Sequence, residues 1–354
     1  MMDVVRINCE ELEAFVTTIL TRAGVPDHEA IIVADCIVSA DRRGIASHGV
    51  SRLPVYLAKV EAGSMERATR IEILRESQSA ALLSGGNGWG PVAGKGAMEL
   101  AIEKASRTGA AFVGVRESNH FGIAAYYAMM ALGHDMIGIA LTNSTPLMAP
   151  WGSRQAYLGT NPISVAVPAG RERPIVYDGA TSVANRGKLV LASRRGESVP
   201  NEWAIDPQGH PTTDPAAGLK GALLPIGKYK GSGLAIMVDV LCGVLTGGLF
   251  GSAVGDLYDA SSCSGVGHFF GALKVDCFMP VDEFKERVDA FVREIRSLPK
   301  AEGVGRIYLP GEIEFEKEEE SMRLGIALDR GVLNDLNEVA ARYDVRKIGD
   351  EKVG

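Results

Sequence analysis

Two histidines and an arginine in this sequence have the chemistry that ketone reduction or alcohol oxidation requires. His48 and Arg52 lie four residues apart in the segment DRRGIASHGVSR, and His120 lies in RESNHFG. Histidine is the usual proton donor or acceptor near neutral pH, and arginine binds a carboxylate through two parallel hydrogen bonds. We therefore hypothesise that a histidine exchanges a proton with a substrate oxygen while Arg52 binds a neighbouring carboxylate.

Each of these histidines also has a purely structural interpretation. His48 follows the predicted end of a helix and could cap it, and His120 follows a predicted strand and could be hydrogen-bonded in a loop. We favour the catalytic interpretation for both, because catalytic side chains are often carried by loops that a rigid scaffold positions. His268, which precedes two phenylalanines, fits either interpretation.

A glycine-rich loop suggests a different cofactor site. Gly88 and Gly90 begin a GxGxxA pattern that follows the predicted strand 80–83 and precedes a predicted helix, which is the context of a Rossmann dinucleotide-binding motif. That motif requires an acidic residue at the end of the next strand. The strand instead ends at Arg116, and Glu117 comes just beyond it. We therefore favour a tight turn that packs a helix on a sheet, with the cofactor bound elsewhere.

Apolar periodicity predicts a mixed α/β protein that begins with helices. Asn8 is the predicted N-cap of a first helix ending at Gly24, and a second helix runs from Pro26 to about Gly44. From residue 80 onwards, segments typical of strands alternate with helical spacing. The predicted strands are 80–83, 111–115, 137–142, 163–167, 175–178, 189–191 and 269–275. The predicted helices are 92–107, 123–131, 234–245, 281–298 and one or two surface helices from Ser321.

Length and composition indicate a globular protein with more than one domain. A chain of 354 residues exceeds what a single hydrophobic core usually supports, and 46% hydrophobic with 23% charged residues is typical of packed domains. The formal net charge is -7, and no basic cluster is interleaved with aromatic residues. We therefore expect neither nucleic acid nor a membrane surface as a partner.

The cysteines and the N-terminus suggest a cytoplasmic protein. The five cysteines are scattered, without a Cys-x-x-Cys pair or zinc-ligand spacing, which indicates free thiols in a reducing compartment and no metal site. The first residues, MMDVVRINCEELEAF, lack the apolar core of a signal peptide. The long apolar segment 231–255 is interrupted by Asp239 and by glycines, so we expect a buried helix there rather than a membrane span.

Several longer motifs occur in a specific order along the chain. They are RGIASHGVSRL, SNHFG, PWGS followed by LGTNPI, DGATS with RGK, WAIDPQGHPTTDP, KYKGSGLA and LPGE. In this order they resemble the malate/L-lactate dehydrogenase family, which includes ureidoglycolate, sulfolactate and diketogulonate oxidoreductases and an imino-acid reductase. The similarity extends over about residues 5–330.

The resemblance implies a homodimer that binds NAD or NADP without a Rossmann fold. The implied cofactor domain is a mixed, largely antiparallel sheet flanked by helices, accompanied by a helical module. On this interpretation, residues 1–78 form the helical N-terminal part of a substrate and dimer domain, and 79–255 form the NAD(P)-binding domain. Residues 256–354 then return to the first domain and end in helices.

The resemblance also implies a role for individual residues. His120 corresponds to the acid/base residue, Ser47 and His48 accompany it at the substrate, and Arg52 binds the substrate carboxylate. Thr160 and Asn161 could either position the substrate or simply close a turn before a proline. The residues implied in cofactor binding are His120, Phe121, Gly122, Ser144, Asp178, Gly179, Ala180, Lys230, Arg287, Gly311 and Glu312.

Three positions depart from the pattern that the family often shows. Ser153 replaces a second glycine after PWG, Gly179 replaces a bulky residue, and Ser232 replaces the tyrosine of KGYG. Two of these lie beside implied cofactor or substrate segments, which leaves the pocket shape and the choice between NAD and NADP open.

The primary functional hypothesis is hydride transfer between NAD(P)(H) and the α-carbon of a small 2-hydroxyacid or 2-oxoacid. Malate or lactate is the default substrate. One alternative keeps the fold but changes the substrate to ureidoglycolate or a cyclic imino acid. A second alternative, a non-catalytic cofactor-binding scaffold, is disfavoured because His48, Arg52 and His120 are all present.

Overall fold

Helices and strands alternate throughout residues 4–349, the part of the chain that the computed structural model describes. The strands are β1 (Val4–Ile7), β2 (Glu72–Glu76), β3 (Ala80–Ser84), β4 (Ala110–Ser118), β5 (Met136–Thr142), β6 (Ile163–Val167), β7 (Ile175–Gly179), β8 (Ala204–Ile205), β9 (Ala222–Leu223), β10 (Val266–Lys274) and β11 (Ile326–Asp329). The α-helices are α1 (Cys9–Arg22), α2 (Asp27–Arg42), α3 (Leu53–Glu61), α4 (Gly90–Thr108), α5 (Ala124–Met130), α6 (Arg186–Arg195), α7 (Pro215–Lys220), α8 (Tyr229–Asp239), α9 (Val281–Ser297), α10 (Glu312–Leu324) and α11 (Arg330–Arg342).

The first helices begin where their capping residues predict. Asn8 accepts hydrogen bonds on its side-chain oxygen from the backbone N–H groups of Glu10 and Glu11, at 2.8 and 3.2 Å. Such a cap satisfies N–H groups that have no partner within the helix. The buried faces of α1, α2 and α3 pack together with β11 and α11. Elements that are far apart in sequence therefore form one hydrophobic core.

The seven strands of the main sheet are arranged in the order β2-β3-β4-β10-β5-β6-β7. Only β3 and β4 are parallel, and α4 connects them; all the other neighbouring pairs are antiparallel. The predicted mixed, largely antiparallel sheet is therefore confirmed, and it differs from the parallel sheet of a Rossmann fold. Helices α4 and α5 cover one face of the sheet, and α8 covers the other.

The predicted strand 189–191 is wrong, because this segment lies inside α6. Asn185 caps α6 by accepting a hydrogen bond from the backbone N–H of Lys188 at 2.9 Å. Leu189 and Ala192 lie three residues apart and are both buried on the inner face of the helix. A short apolar segment fits one helical turn as well as a strand, so periodicity alone does not distinguish the two.

The main sheet draws on residues from all three expected segments of the chain. Strand β2 precedes the expected boundary at residue 79, and β10 follows the one at residue 255, yet both belong to the same sheet as β3 to β7. Strand β10 lies between β4 and β5, far from both in sequence. Within residues 4–349, no helix is long and apolar enough to cross a membrane.

Candidate active site

A buried carboxylate positions the segment between α2 and α3. The segment consists of two short 3-10 turns, Ala46–His48 and Val50–Arg52. Asp41 accepts a hydrogen bond from the backbone N–H of Val50 at 2.7 Å, and its side chain lies directly against Gly49. A Cβ atom at position 49 would lie 2.1 Å from the Asp41 carboxylate, so only glycine allows this approach. Asp41 thereby determines where Ser47, His48 and Arg52 lie.

The loop after β4 positions His120. Asn119 is buried and donates a side-chain hydrogen bond to the carbonyl of Gly88 at 2.9 Å. Gly90 begins α4 directly against this loop, because a Cβ there would lie 2.3 and 2.4 Å from the carbonyl oxygens of Asn119 and His120. The N-terminus of α4 is therefore occupied by protein backbone. The glycine-rich loop packs a helix against the sheet, as expected, and leaves no room there for a pyrophosphate.

His268 has a structural role beneath this loop. It lies on β10, is fully buried, and contacts the hydroxyls of Ser118 and Thr142 at 2.9 and 2.8 Å. Its ring stacks on Phe121 with a centroid distance of 4.6 Å. Burial lowers the pKa of His268 to about 3, so it remains neutral. Both ring nitrogens are occupied, which favours the structural interpretation that the sequence left open.

His48 and His120 converge from two distant segments. Their rings stack with centroids 5.4 Å apart, and the Ser47 hydroxyl lies 2.9 Å from Nδ1 of His48. Nδ1 of His120 lies 2.6 Å from the Tyr56 hydroxyl and 3.3 Å from the backbone nitrogen of Gly122. A backbone N–H can only donate, so we assign Nδ1 as the acceptor and place the proton of the neutral ring on Nε2. Nε2 is therefore the ring nitrogen of His120 that neither Tyr56 nor Gly122 contacts.

Tyr56 is a site residue that the sequence interpretation missed. It is buried on α3, four residues after Arg52 and therefore on the same helix face. Burial raises the pKa of Tyr56, so its hydroxyl keeps its proton and can donate it to His120. The spacing of Arg52 and Tyr56 was a usable signal, but the partner of Tyr56 lies too far away in sequence to be recognised from spacing.

Arg52 is held by two contacts that leave part of its guanidinium available. Its Nε donates to the carbonyl of Ser47 at 2.6 Å, and one terminal nitrogen donates to the hydroxyl of Tyr258. The guanidinium also lies over the Tyr258 ring, 5.4 Å from its centroid. Within residues 4–349, Nη2 has no protein acceptor. A planar donor group of this kind is suited to a carboxylate.

The electrostatics of the site keep both histidines neutral. Burial, and to a lesser degree the charge of Arg52, lowers the pKa of His48 to about 4. Burial, followed by the charges of His48, Arg52 and His268, holds the pKa of His120 well below its usual range. A carboxylate bound to Arg52 would offset the positive charge and raise both pKa values. Such a bound carboxylate would favour the protonated form of His120.

A cavity of about 350 Å³ is lined by residues from two of the implied cofactor segments. Asp178, at the end of β7, accepts a hydrogen bond from the backbone N–H of Ala125 at 2.8 Å, and Gly311 lines the same cavity. Burial raises the pKa of Asp178 to about 6. Arg43 and Glu314 also line the cavity. The cavity offers the second carboxylate oxygen of Asp178, several backbone groups and the nearby guanidinium of Arg43. These groups fit the ribose and the polar groups of a nucleotide.

The remaining implied cofactor residues occupy varied positions. Ser144 donates its backbone N–H to the side chain of the buried Asn161 at 3.2 Å, and Asn161 donates to the carbonyl of Ala235 at 3.0 Å. Asn161 therefore ties the end of β5 to α8. The carbonyl of Thr160 accepts two hydrogen bonds from Thr181. Thr160 thus joins the segment after β7 through its backbone carbonyl.

Glu312 faces away from the cavity that its neighbour Gly311 lines. It is buried, accepts from the backbone N–H of Leu309 at 2.9 Å, and forms an ion pair with Arg296. Lys230 and Arg287 are exposed on α8 and α9, and neither lines the cavity. Gly179 and Ala180 lie half-buried at the end of β7. Across residues 4–349, no group of three or more potential ligands is arranged to hold a metal ion.

Comparison with known proteins identifies the family. The model of the family described as malate/L-lactate dehydrogenase matches residues 7–337. The chain belongs to this family. It is 44% identical over 350 residues to a malate dehydrogenase from Pyrococcus abyssi, covering 97% of this chain and 96% of the relative. It is 34% identical to an Escherichia coli ureidoglycolate dehydrogenase (NAD(+)), covering 91% and 92%.

The fold agrees with solved structures of the same family. The sulfolactate dehydrogenase from Methanocaldococcus jannaschii superposes with a TM-score of 0.91 at 38% identity, covering 97% of this chain and 98% of that one. The expected family membership is thereby confirmed. The chain is a dehydrogenase, with the stacked histidines and Arg52 at the junction between its helical part and its sheet.

Proposed function

We propose that this dehydrogenase transfers hydride reversibly between NAD(P)(H) and the α-carbon of a small 2-hydroxyacid or 2-oxoacid. The observation that carries the proposal is the convergence of His120, His48 and Arg52, which pairs a proton-carrying nitrogen with a carboxylate-binding group. Relatives of this chain are named as NAD(+)-dependent and as NADP(+)-dependent, which supports a nicotinamide cofactor. The cavity at Asp178 and Gly311 would hold its nucleotide part.

In the reducing direction, each side chain has a distinct task. The bound cofactor supplies the hydride. Arg52 binds the carboxylate and so aligns the neighbouring carbonyl group with His120. In its protonated form, His120 gives the Nε2 proton to the carbonyl oxygen and becomes neutral, while Tyr56 at Nδ1 keeps the ring in position. Ser47 and His48 lie beside this ring and complete the substrate side of the site.

Malate or lactate is the default substrate, and the names of the relatives favour malate. Malate dehydrogenases are among the relatives with the highest identity, and sulfolactate dehydrogenases follow. The ureidoglycolate dehydrogenase relative supports one alternative substrate. Assays of oxaloacetate, pyruvate, sulfopyruvate, ureidoglycolate and a cyclic imine, each with both cofactors, would rank these. Cofactor binding without turnover of any of them would instead favour a non-catalytic scaffold.

Replacing His120 tests the chemical role directly. His120→Asn should lower kcat by about 10² to 10⁴, because general acid/base catalysis is worth that much, while NADH affinity changes little. Steady-state kinetics and NADH fluorescence titration measure the two quantities. His28→Asn, which changes an exposed histidine on α2, is the matched control. Near-normal kcat in the His120 variant would contradict the assignment.

We also propose that the enzyme is a homodimer in the cytoplasm. An apolar face is exposed along α8 and the π-helical turn that extends it, where Met237, Val244 and Leu245 are 56%, 53% and 62% exposed. A contiguous apolar surface of this kind is typical of an interface between subunits. All five cysteines are free, which supports a reducing compartment.

A further inference from the structure

One face of α3 connects three parts of the site. Arg52, at the N-cap of α3, contacts Tyr258, and Tyr56 contacts His120. Lys59, one turn further, donates to the backbone carbonyls of Asp259 and Ser262 at 2.8 and 2.7 Å. Helical residues at these spacings lie on one side. The same face therefore aligns the proton donor, the carboxylate anchor and the loop 255–264.

Lys59 is an unusual choice for a purely structural contact. Its side chain is only 1% exposed, and burial lowers the pKa of its ammonium group. Burying an ammonium group is costly unless it is well hydrogen-bonded. Here the cost is offset by two carbonyls of one loop, together with the nearby charge of Asp259. These two hydrogen bonds hold the loop 255–264 against α3.

The clamped loop carries Tyr258 to the substrate side of Arg52. Within the loop, Asp256 accepts the backbone N–H of Tyr258 at 3.0 Å, and Thr145 donates to the carbonyl of Gly255 at 3.0 Å. The Tyr258 side chain is 57% exposed, so it is held by its loop and by Arg52 rather than by core packing. Its hydroxyl accepts a hydrogen bond from Arg52 and has no other partner within residues 4–349. The hydroxyl hydrogen is therefore available to donate.

We propose that Tyr258 is a second binding group for the substrate carboxylate, positioned by Lys59. Its hydroxyl accepts from Arg52 and donates its own hydrogen to the carboxylate that Arg52 binds. The proposal rests on the proposed function, in which Arg52 receives that carboxylate. It assigns the loop 255–264 to substrate binding, although this loop belongs to the chain between α8 and β10 and not to the helical part that carries Arg52.

Replacing Tyr258 by phenylalanine removes the hydroxyl and keeps the ring over Arg52. Tyr258→Phe should raise KM for the preferred 2-oxoacid about tenfold or more, as expected for one hydrogen bond to a charged group, with kcat within about twofold. Lys59→Met should raise KM in the same direction. The matched controls are Tyr343→Phe, whose hydroxyl contacts Glu61, and Lys95→Met, whose ammonium pairs with Glu99 on the surface.

A double-mutant cycle separates substrate binding from loop stability. In an Arg52→Lys background, which loses the Tyr258 contact geometry, Tyr258→Phe should add less than about twofold to KM. Additive effects, an unchanged KM, or a fall confined to kcat would overturn the proposal. If Lys59→Met destabilises the fold, a lower melting temperature will reveal it. The Tyr258 variants then test by themselves whether the Tyr258 hydroxyl binds the carboxylate.

An inhibitor titration distinguishes failure of this proposal from failure of the proposed function. Oxamate carries a carboxylate beside a carbonyl group and is not reduced by hydride in such assays. Its Kd for the enzyme with bound NADH should rise about tenfold in Tyr258→Phe. If no 2-oxoacid is turned over but this shift is seen, the proposed function fails and the role of Tyr258 stands. If a 2-oxoacid is turned over and the Kd for oxamate does not rise, the proposed function stands and the role of Tyr258 fails.

Discussion

Asp41 shows how a single buried side chain positions the segment that carries Ser47, His48 and Arg52. Its carboxylate bonds to Val50 and fills the space beside Gly49, and burial raises its pKa to about 7. The folded protein therefore retains a proton on Asp41 in a pH range where the unfolded chain has released it. His48 and His120 depart in the opposite sense, with pKa values lowered by burial. The site accordingly contains few full charges at neutral pH apart from Arg52.

The raised pKa of Asp41 makes stability depend on pH with a defined sign. The contribution of Asp41 to the free energy of unfolding is fully present below the unfolded pKa of about 4. It is lost as the pH rises towards 7, because Asp41 ionises at lower pH in the unfolded chain than in the folded protein. Asp41→Asn keeps an oxygen for Val50 but removes this ionisation. The free energy of unfolding of the variant relative to the native protein should therefore increase between pH 4 and 7.

Denaturant unfolding at several pH values measures this difference. Between pH 4 and 7, the free energy of unfolding of the variant relative to the native protein should rise by up to about 1.4 kcal/mol per pH unit, the value for one proton. Asp335→Asn, at an exposed position on α11, is the control for the same chemical change. A flat difference for Asp41→Asn would mean that its carboxyl group titrates normally.

At the residue scale, most of the side chains that converge at the candidate site could be named from the sequence. Histidine is scarce, with six in the chain, and the motifs are specific enough to single out His48, Arg52 and His120. Tyr56 and Tyr258 were missed because tyrosine is common in cores and on surfaces alike. Tyr258 is also separated from Arg52 by most of the chain, so only the fold brings the two together.

At the element scale, long periodic segments were predicted well and short ones poorly. The helices α1, α2, α4 and α9 follow clear periodicity, α1 also has a side-chain cap, and their predictions are confirmed. The two-residue strands β8 and β9 contain too few residues for any alternation. Strand β2 was missed because its residues are mostly polar and exposed at the edge of the sheet. The alternation of apolar and polar residues arises where one face of a strand is buried. An exposed edge strand therefore lacks the alternation by which a strand is predicted.

The start of α4 provides a test of how elements position His120. Gly90→Ala would place a Cβ against the carbonyls of Asn119 and His120, so the loop must move or the helix must shift. We expect a loss of about 1–3 kcal/mol in the free energy of unfolding, as for other overpacked sites, together with reduced kcat. Gly133→Ala, where a Cβ meets nothing within 4 Å, is the control. Equal behaviour of the two variants would show that the loop tolerates displacement.

The whole molecule is built so that the two ends of the chain share one core and a late strand completes the sheet. These long-range pairings were beyond sequence interpretation, because nothing in β10 specifies which strands it will join. The resemblance to a known family supplied the type of sheet but not the strand order. The expected segment boundaries at 79 and 255 therefore do not follow the sheet.

The proposed dimer can be tested on the exposed face of α8 and its extension. Leu245→Glu places a charge in the centre of that apolar face and should convert the dimer to a monomer, because burying an unpaired carboxylate is costly. Light scattering coupled to size-exclusion chromatography measures the mass. Ile31→Glu, at a residue that is 54% exposed on α2, is the control and should leave the mass unchanged. A native protein with the mass of one chain would contradict the proposal.

The central position of β10 also has a consequence for biosynthesis. At about 5–20 residues per second, the ribosome needs on the order of ten seconds to add the residues between Thr142 and Val266. During that time β4 and β5 each present an unpaired edge, which is the kind of surface that associates with other chains. His268 arrives with β10 and bonds to Ser118 and Thr142 on these two strands. The loop of His120 thus gains its support only after β10 has been synthesised, and chaperone protection of the nascent sheet would be needed most before that point.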